Sequence, residues 1–193
     1  MKRFPPLTIA MIALCVLVAL VSSLGASFEV LRFLFIATPG SDGLEEIGNL
    51  QWWRLITPIF IHFGPLHLLF NMMWLWDLGK MIESARTPWF LGAFTLAVGV
   101  LSNLAQYLFT GVVTFGGMSG VVYGLLGYVW MQGKYNPRFG YVLHPHIVAM
   151  MLVWFVLCWT GLLGPIANWA HSAGLLIGVA WGFLDRGGRR PLA

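Results

Sequence analysis

Four polar side chains interrupt apolar stretches of this sequence: His67, Asn71, Ser119 and His171. A serine hydroxyl becomes a useful nucleophile only when a neighbouring base takes its proton, and an imidazole of near-neutral pKa is the usual base. Ser119 and His171 are therefore a candidate nucleophile and base, and His67 and Asn71, at i and i+4, share one face of a helix. Blander readings exist for each. A small residue such as Ser119 in Gly116-Gly117-Met118-Ser119-Gly120 also suits a helix contact without chemistry. The segment is not the G-x-S-x-G elbow of soluble hydrolases, because Val121 stands where the last glycine belongs.

A third, carboxylate member of a triad has no candidate. Asp77, Glu83 and Asp185 fall at the far ends of their apolar stretches, and Glu29, Asp42, Glu45 and Glu46 belong to one long connecting segment. A dyad is expected, with the Tyr123 ring, one turn after Ser119, available to orient the imidazole by packing. Metal binding is the competing use of histidine. His62 and His67 are five apart and do not share a helix face, His144 and His146 lie in a distant loop, and no H-E-x-x-H occurs, so no metal site is expected.

The elements that must carry these residues follow from composition. Of 193 residues 59% are hydrophobic and 9% charged, against roughly 25% charged in an ordinary soluble domain. So few charges cannot cover a water-soluble surface. The apolar runs are long and continuous, which excludes open sheets and alternating barrel strands in lipid. The fold class is an all-α polytopic membrane protein, a single domain over 1–193, with six spans at 7–24, 66–82, 89–108, 117–132, 147–163 and 168–184. The 25–65 segment, with Trp52 and Trp53, reads as a membrane-associated loop with short helices, since paired tryptophans favour the headgroup level. The first apolar run could also serve as a cleaved signal peptide, but it is long for one, and a retained span is favoured. Cys15 and Cys158 lie within apolar runs without metal or redox spacing and read as small core or lipid-facing residues. A net charge of +4 scattered at the ends of apolar runs speaks for topology and not for nucleic acid.

Orientation follows from the positive-inside rule. With a cytoplasmic N-terminus, Lys2, Arg3, Lys80, Arg86, Lys134, Arg138, Arg186, Arg189 and Arg190 are inside, and only Arg32 and Arg54 are outside. Both termini are then cytoplasmic, and spans two, four and six run inward. His67, Asn71, Ser119 and His171 all fall in the first turns of those spans, hence at one depth below the outer face. Gly120 and Gly124 on span four, and Gly174 and Gly178 on span six, let the two helices approach closely, which would bring Ser119 to His171. Asn103 and Gln106 in span three are left over, for a water-holding network or for ordinary interhelical hydrogen bonds.

These residues resemble the motifs of one family, the rhomboid intramembrane serine proteases, over nearly the whole chain. Gly117-Met118-Ser119-Gly120 resembles the GxSG motif, Ala170-His171 through Gly174 and Gly178 resembles AHxxGxxxG, His67 through Asn71 resembles HxxxN, and Trp53-Arg54 resembles the Trp-Arg pair of the first loop. The resemblance implies a minimal six-span bacterial form in which Ser119 is the nucleophile, His171 the general base and Tyr123 the ring stacked on it. It implies an oxyanion hole made by His67, Asn71 and the Ser119 backbone N–H, and no cofactor. It further implies that transmembrane substrates enter between spans two and five, past Phe70 and Trp154. Two alternatives remain: an inactive rhomboid-like binder of membrane clients, and a small transporter, for which polar groups would have to line the full depth. No transit-type segment is present, so the expected location is a bacterial inner membrane.

Overall fold

The computed structural model describes residues 4–41 and 43–187. Lys2, Arg3, Arg189 and Arg190, which enter the charge argument, and Asp42, one of the carboxylates of the long connecting segment, lie outside the described residues. The described residues form eight α-helices and no strand: α1 (Pro6–Val21), α2 (Phe28–Leu31), α3 (Glu45–Gly48), α4 (Pro65–Ala85), α5 (Pro88–Thr110), α6 (Ser119–Tyr135), α7 (Pro145–Trp159) and α8 (Asn168–Leu184). Four of the six long helices open on proline, whose missing N–H costs nothing in a first turn and whose fixed φ suits the helix.

The long helices coincide with the six expected spans, and α8 has the expected bounds; the other ends shift for local reasons. α1 stops at Val21, three residues early, because Ser23 and Leu24 take positive φ. α6 starts at Ser119 and not at residue 117, because Gly117 has a φ of +127°, which no helix accommodates. α7 ends at Trp159, before the left-handed Gly161 and Gly164. α4 runs three residues further, to Ala85, and so carries the buried Glu83 within its helix. Among the described residues, by length and composition, only α5, with 23 residues, qualifies alone to cross a membrane; α1 and α7 are apolar but have 16 and 15 residues.

α6 is the central helix, buried along nearly its whole length. α8 runs parallel to it with glycine on glycine. A Cβ on Gly174 would overlap the Gly120 carbonyl oxygen, one on Gly178 the Gly124 carbonyl oxygen, and one on Gly182 would lie 2.7 Å from the Tyr128 carbonyl oxygen. α7 packs against this core through Val148 and Met151 and leaves Val153, Trp154 and Val156 exposed.

Two polar ties close the end of the bundle away from Ser119. Glu83 at the end of α4 accepts hydrogen bonds from the Leu7 N–H and the Thr8 N–H (2.8 Å each) and from the Thr8 hydroxyl (2.7 Å), satisfying the open first turn of α1. Asp185 accepts from the Tyr128 hydroxyl at 2.6 Å and pairs with Arg86 at 2.8 Å. At the opposite end the first loop plugs the bundle. Arg54, 3% exposed, donates to the carbonyls of Arg32 (2.7 Å) and Phe35 (3.0 Å), and Ile56 and Ile59 fill the space beside Gly99 on α5.

Candidate active site

Ser119 is the first residue of α6 and His171 the fourth of α8, so both sit where their helices begin. The Gly120–Gly174 contact directly below lets the two backbones approach until Ser119 Oγ and His171 Nε2 are 2.7 Å apart. The imidazole is 5% exposed, and its Nδ1 has no hydrogen-bond partner among the described residues. Among the described residues no carboxylate completes a triad there.

Tyr123, one turn below Ser119, has its ring 4.9 Å from that of His171. Its hydroxyl donates to the Met151 carbonyl at 3.3 Å, and its ring meets Phe155 edge-on at 5.5 Å. One side chain thus joins α6, α8 and α7 around the imidazole.

His67 faces the same place from α4. Its Nδ1 accepts the Phe63 backbone N–H at 3.1 Å, which assigns the ring proton to Nε2. That Nε2 points at Gly117: a Cβ there would lie 2.7 Å from His67 Nε2 and 3.5 Å from Ser119 Oγ. The missing side chain leaves an opening between the two groups. Asn71, 6% exposed, donates one Nδ2 hydrogen to the His67 carbonyl at 2.9 Å. An amide carries two such hydrogens, so one remains. The Ser119 N–H, in the open first turn of α6, needs no intrahelical partner. It lies beside Oγ at the start of the helix, on the side where His67 Nε2 approaches Gly117.

Phe70 and Trp154 also meet, at 6.1 Å between ring centroids, each about half exposed. They are the aromatic contact between α4 and α7.

Several residues of the site were not assigned from the sequence. Gln106 caps α8: its Oε1 accepts from the Trp169 N–H (3.1 Å) and the Ala170 N–H (3.3 Å), fixing the turn that carries His171. Asn103 donates to the Leu55 carbonyl at 2.9 Å, tying α5 to the first loop. Both thus make interhelical or loop hydrogen bonds within the protein. His62, five residues from His67, is brought to 5.1 Å from it, ring to ring, by the turn at Phe63 and Gly64. It is fully buried, its Nδ1 donates to the Phe60 carbonyl at 3.1 Å, and burial pushes its pKa down to about 3, so it is neutral. His144 and His146 stack on one another at 4.9 Å at the start of α7, on the other side of the bundle. Among the described residues no three His, Cys, Asp or Glu side chains form a metal-type cluster. Cys15 and Cys158 are buried free thiols.

The described residues form an all-helical bundle in which a serine and a histidine meet at the starts of two glycine-packed helices. Residues 49–187 match the family model described as the Rhomboid domain, and the chain belongs to the rhomboid family. Its members are integral membrane proteins, typically serine proteases acting on membrane-protein substrates within the bilayer, and inactive members exist.

Proposed function

We propose that this chain is an active member: a serine endopeptidase that cuts membrane-protein substrates in or near a transmembrane segment, using Ser119 and His171. The observation that carries the reading is the 2.7 Å separation of Ser119 Oγ from His171 Nε2 in a buried setting. His171 Nε2 takes the hydroxyl proton as Oγ attacks the scissile carbonyl. The developing oxyanion receives hydrogen bonds from His67 Nε2–H, the free Asn71 N–H and the Ser119 N–H. The C–N bond then breaks, and the proton on His171 Nε2 goes to the leaving amine. Water, deprotonated by the same nitrogen, attacks the acyl-serine and releases the second product. Tyr123 holds the imidazole in place of a carboxylate. Gly120, Gly124, Gly174 and Gly178 set the helix approach, and Phe70 with Trp154 forms the seam past which the substrate enters between α4 and α7.

The domain is one unit over 1–193 in a bacterial inner membrane, with both termini cytoplasmic and the site near the outer face. Support for this orientation comes from the Lys and Arg asymmetry. A cysteine placed at Leu50 should react with an impermeant thiol reagent in intact cells and one placed at Lys134 should not; the reverse pattern would invert the topology.

The activity is tested by reconstituting the chain with a single-span substrate in proteoliposomes. Wild type should cleave within the substrate's transmembrane region, and His171→Ala should fall to background. An inactive client-binding role would leave both silent while the substrate still co-purifies.

A further inference from the structure

Three consecutive residues after α1 adopt left-handed backbone: Ser23 (φ 51°), Leu24 (φ 54°) and Gly25 (φ 89°). The first two carry a Cβ, for which this conformation is costly, and such strain persists only where the surroundings over-determine it. The turn is internally braced, since the Ser22 hydroxyl oxygen accepts the Gly25 N–H at 3.2 Å and the Ser22 carbonyl accepts the Ser27 N–H at 2.9 Å. It is also docked on a specific target. The Leu24 carbonyl accepts the Gly64 N–H at 2.9 Å, and Gly25 lies so close to residues 62 and 63 that a Cβ would sit 2.7 Å from the His62 carbonyl oxygen and 2.8 Å from the Phe63 ring.

Residues 62–64 are the segment that presents the Phe63 N–H to His67 Nδ1, with the Phe63 ring stacked parallel to the imidazole at 11°. His62 is anchored in the same segment by its bond to the Phe60 carbonyl. A continuous chain of contacts therefore runs from the end of α1 through Phe63 to His67 and the opening at Gly117. The turn lies before residue 49, outside the part of the chain that matches the family model.

We propose that the Ser22–Gly25 turn is a positioning element for catalysis: by clamping residues 62–64 it aims the Phe63 N–H at His67 Nδ1 and so keeps the His67 proton on Nε2, facing the oxyanion. Gly25 and Phe63 act through His67 and touch no substrate. The proposal rests on the reading of His67 as an oxyanion donor, and its consequence is that α1 contributes to turnover as well as to the bundle.

The direct test is the tautomer of His67 in the purified full chain, read by long-range proton–nitrogen correlation with 15N-labelled histidine and assigned with a His67→Ala control. The proposal expects the proton on Nε2; a proton on Nδ1 overturns it whatever any variant does. The second arm is kinetic. Gly25→Ala should lower kcat by about 10²-fold, no more than loss of one oxyanion donor costs, with KM little changed. It should also cause no further loss in a His67→Ala background, where a structural defect would add. Unimpaired turnover by folded Gly25→Ala beside an impaired His67→Ala overturns the positioning role alone. Unimpaired His67→Ala overturns the oxyanion reading and this proposal together. If Gly25→Ala does not fold, the wild-type tautomer decides.

Discussion

Gly117 stands against His67 with so little room that a Cβ would lie 2.7 Å from the imidazole Nε2, and its φ of +127° is one that other residues rarely adopt. The glycine is therefore needed twice, for the turn that starts α6 at Ser119 and for the opening between His67 and Ser119 Oγ. Gly117→Ala should cut kcat by about 10²–10³, as removal of an oxyanion donor does, because the methyl group would occupy the place proposed for the oxyanion. The check is turnover beside a thermal melt. A folded variant with wild-type turnover would mean that the oxyanion does not form there.

The glycine seam gives a graded prediction. A Cβ on Gly174 meets the Gly120 backbone carbonyl, which no rotamer change can move, whereas one on Gly124 first meets the Val98 side chain at 2.7 Å. Gly174→Ala should therefore separate α6 from α8, costing about 1–3 kcal/mol of stability by overpacking and pulling Ser119 from His171. Gly124→Ala should be milder in both melting temperature and turnover. Equal effects would contradict the order of contacts.

Much of this was legible in the sequence because bilayer physics leaves few options: apolar runs must be helices, and His67, Asn71, Ser119 and His171 fall in the first turns of the alternate long helices α4, α6 and α8. The glycine spacing on α6 and α8 named the contact that brings Ser119 to His171. What stayed hidden depends on the path of irregular chain. His62 reaches His67 only through the turn at Phe63 and Gly64, and the helical periodicity used to separate them does not apply to a loop. Gln106 caps a helix far away in sequence, and Glu83 does the same for α1; a lone polar residue in a span gives no hint of its partner. Gly117 was visible as a motif letter, but its need for positive φ was not.

Glu83 leads to a stability prediction separate from catalysis. Its carboxylate takes three hydrogen bonds from Leu7 and Thr8. Glu83→Ala leaves those donors without their charged acceptor and should destabilise the fold on the order of 3 kcal/mol, with near-normal turnover below the lowered melting temperature. Glu83→Gln, which retains one acceptor oxygen, should lose less. A melting temperature unchanged in Glu83→Ala would show that α1 is held by apolar packing alone.

Phe70 and Trp154 touch across the seam between α4 and α7, and α7 is otherwise exposed on much of its surface. If the pair limits substrate entry, Phe70→Ala combined with Trp154→Ala should keep or raise the cleavage rate of a transmembrane substrate. A large loss of rate in the folded double variant would count against entry there.

The central claim is that Ser119 is the nucleophile, and covalent capture tests it most directly. The purified chain should react with a fluorophosphonate at Ser119, located by mass mapping of peptides, and Ser119→Ala should neither label nor cleave. Asn71→Ala, lacking one of the three proposed oxyanion donors, should label slowly and turn over about 10²–10³ more slowly than wild type. Labelling at another residue, or undiminished cleavage by Ser119→Ala, would contradict the account outright.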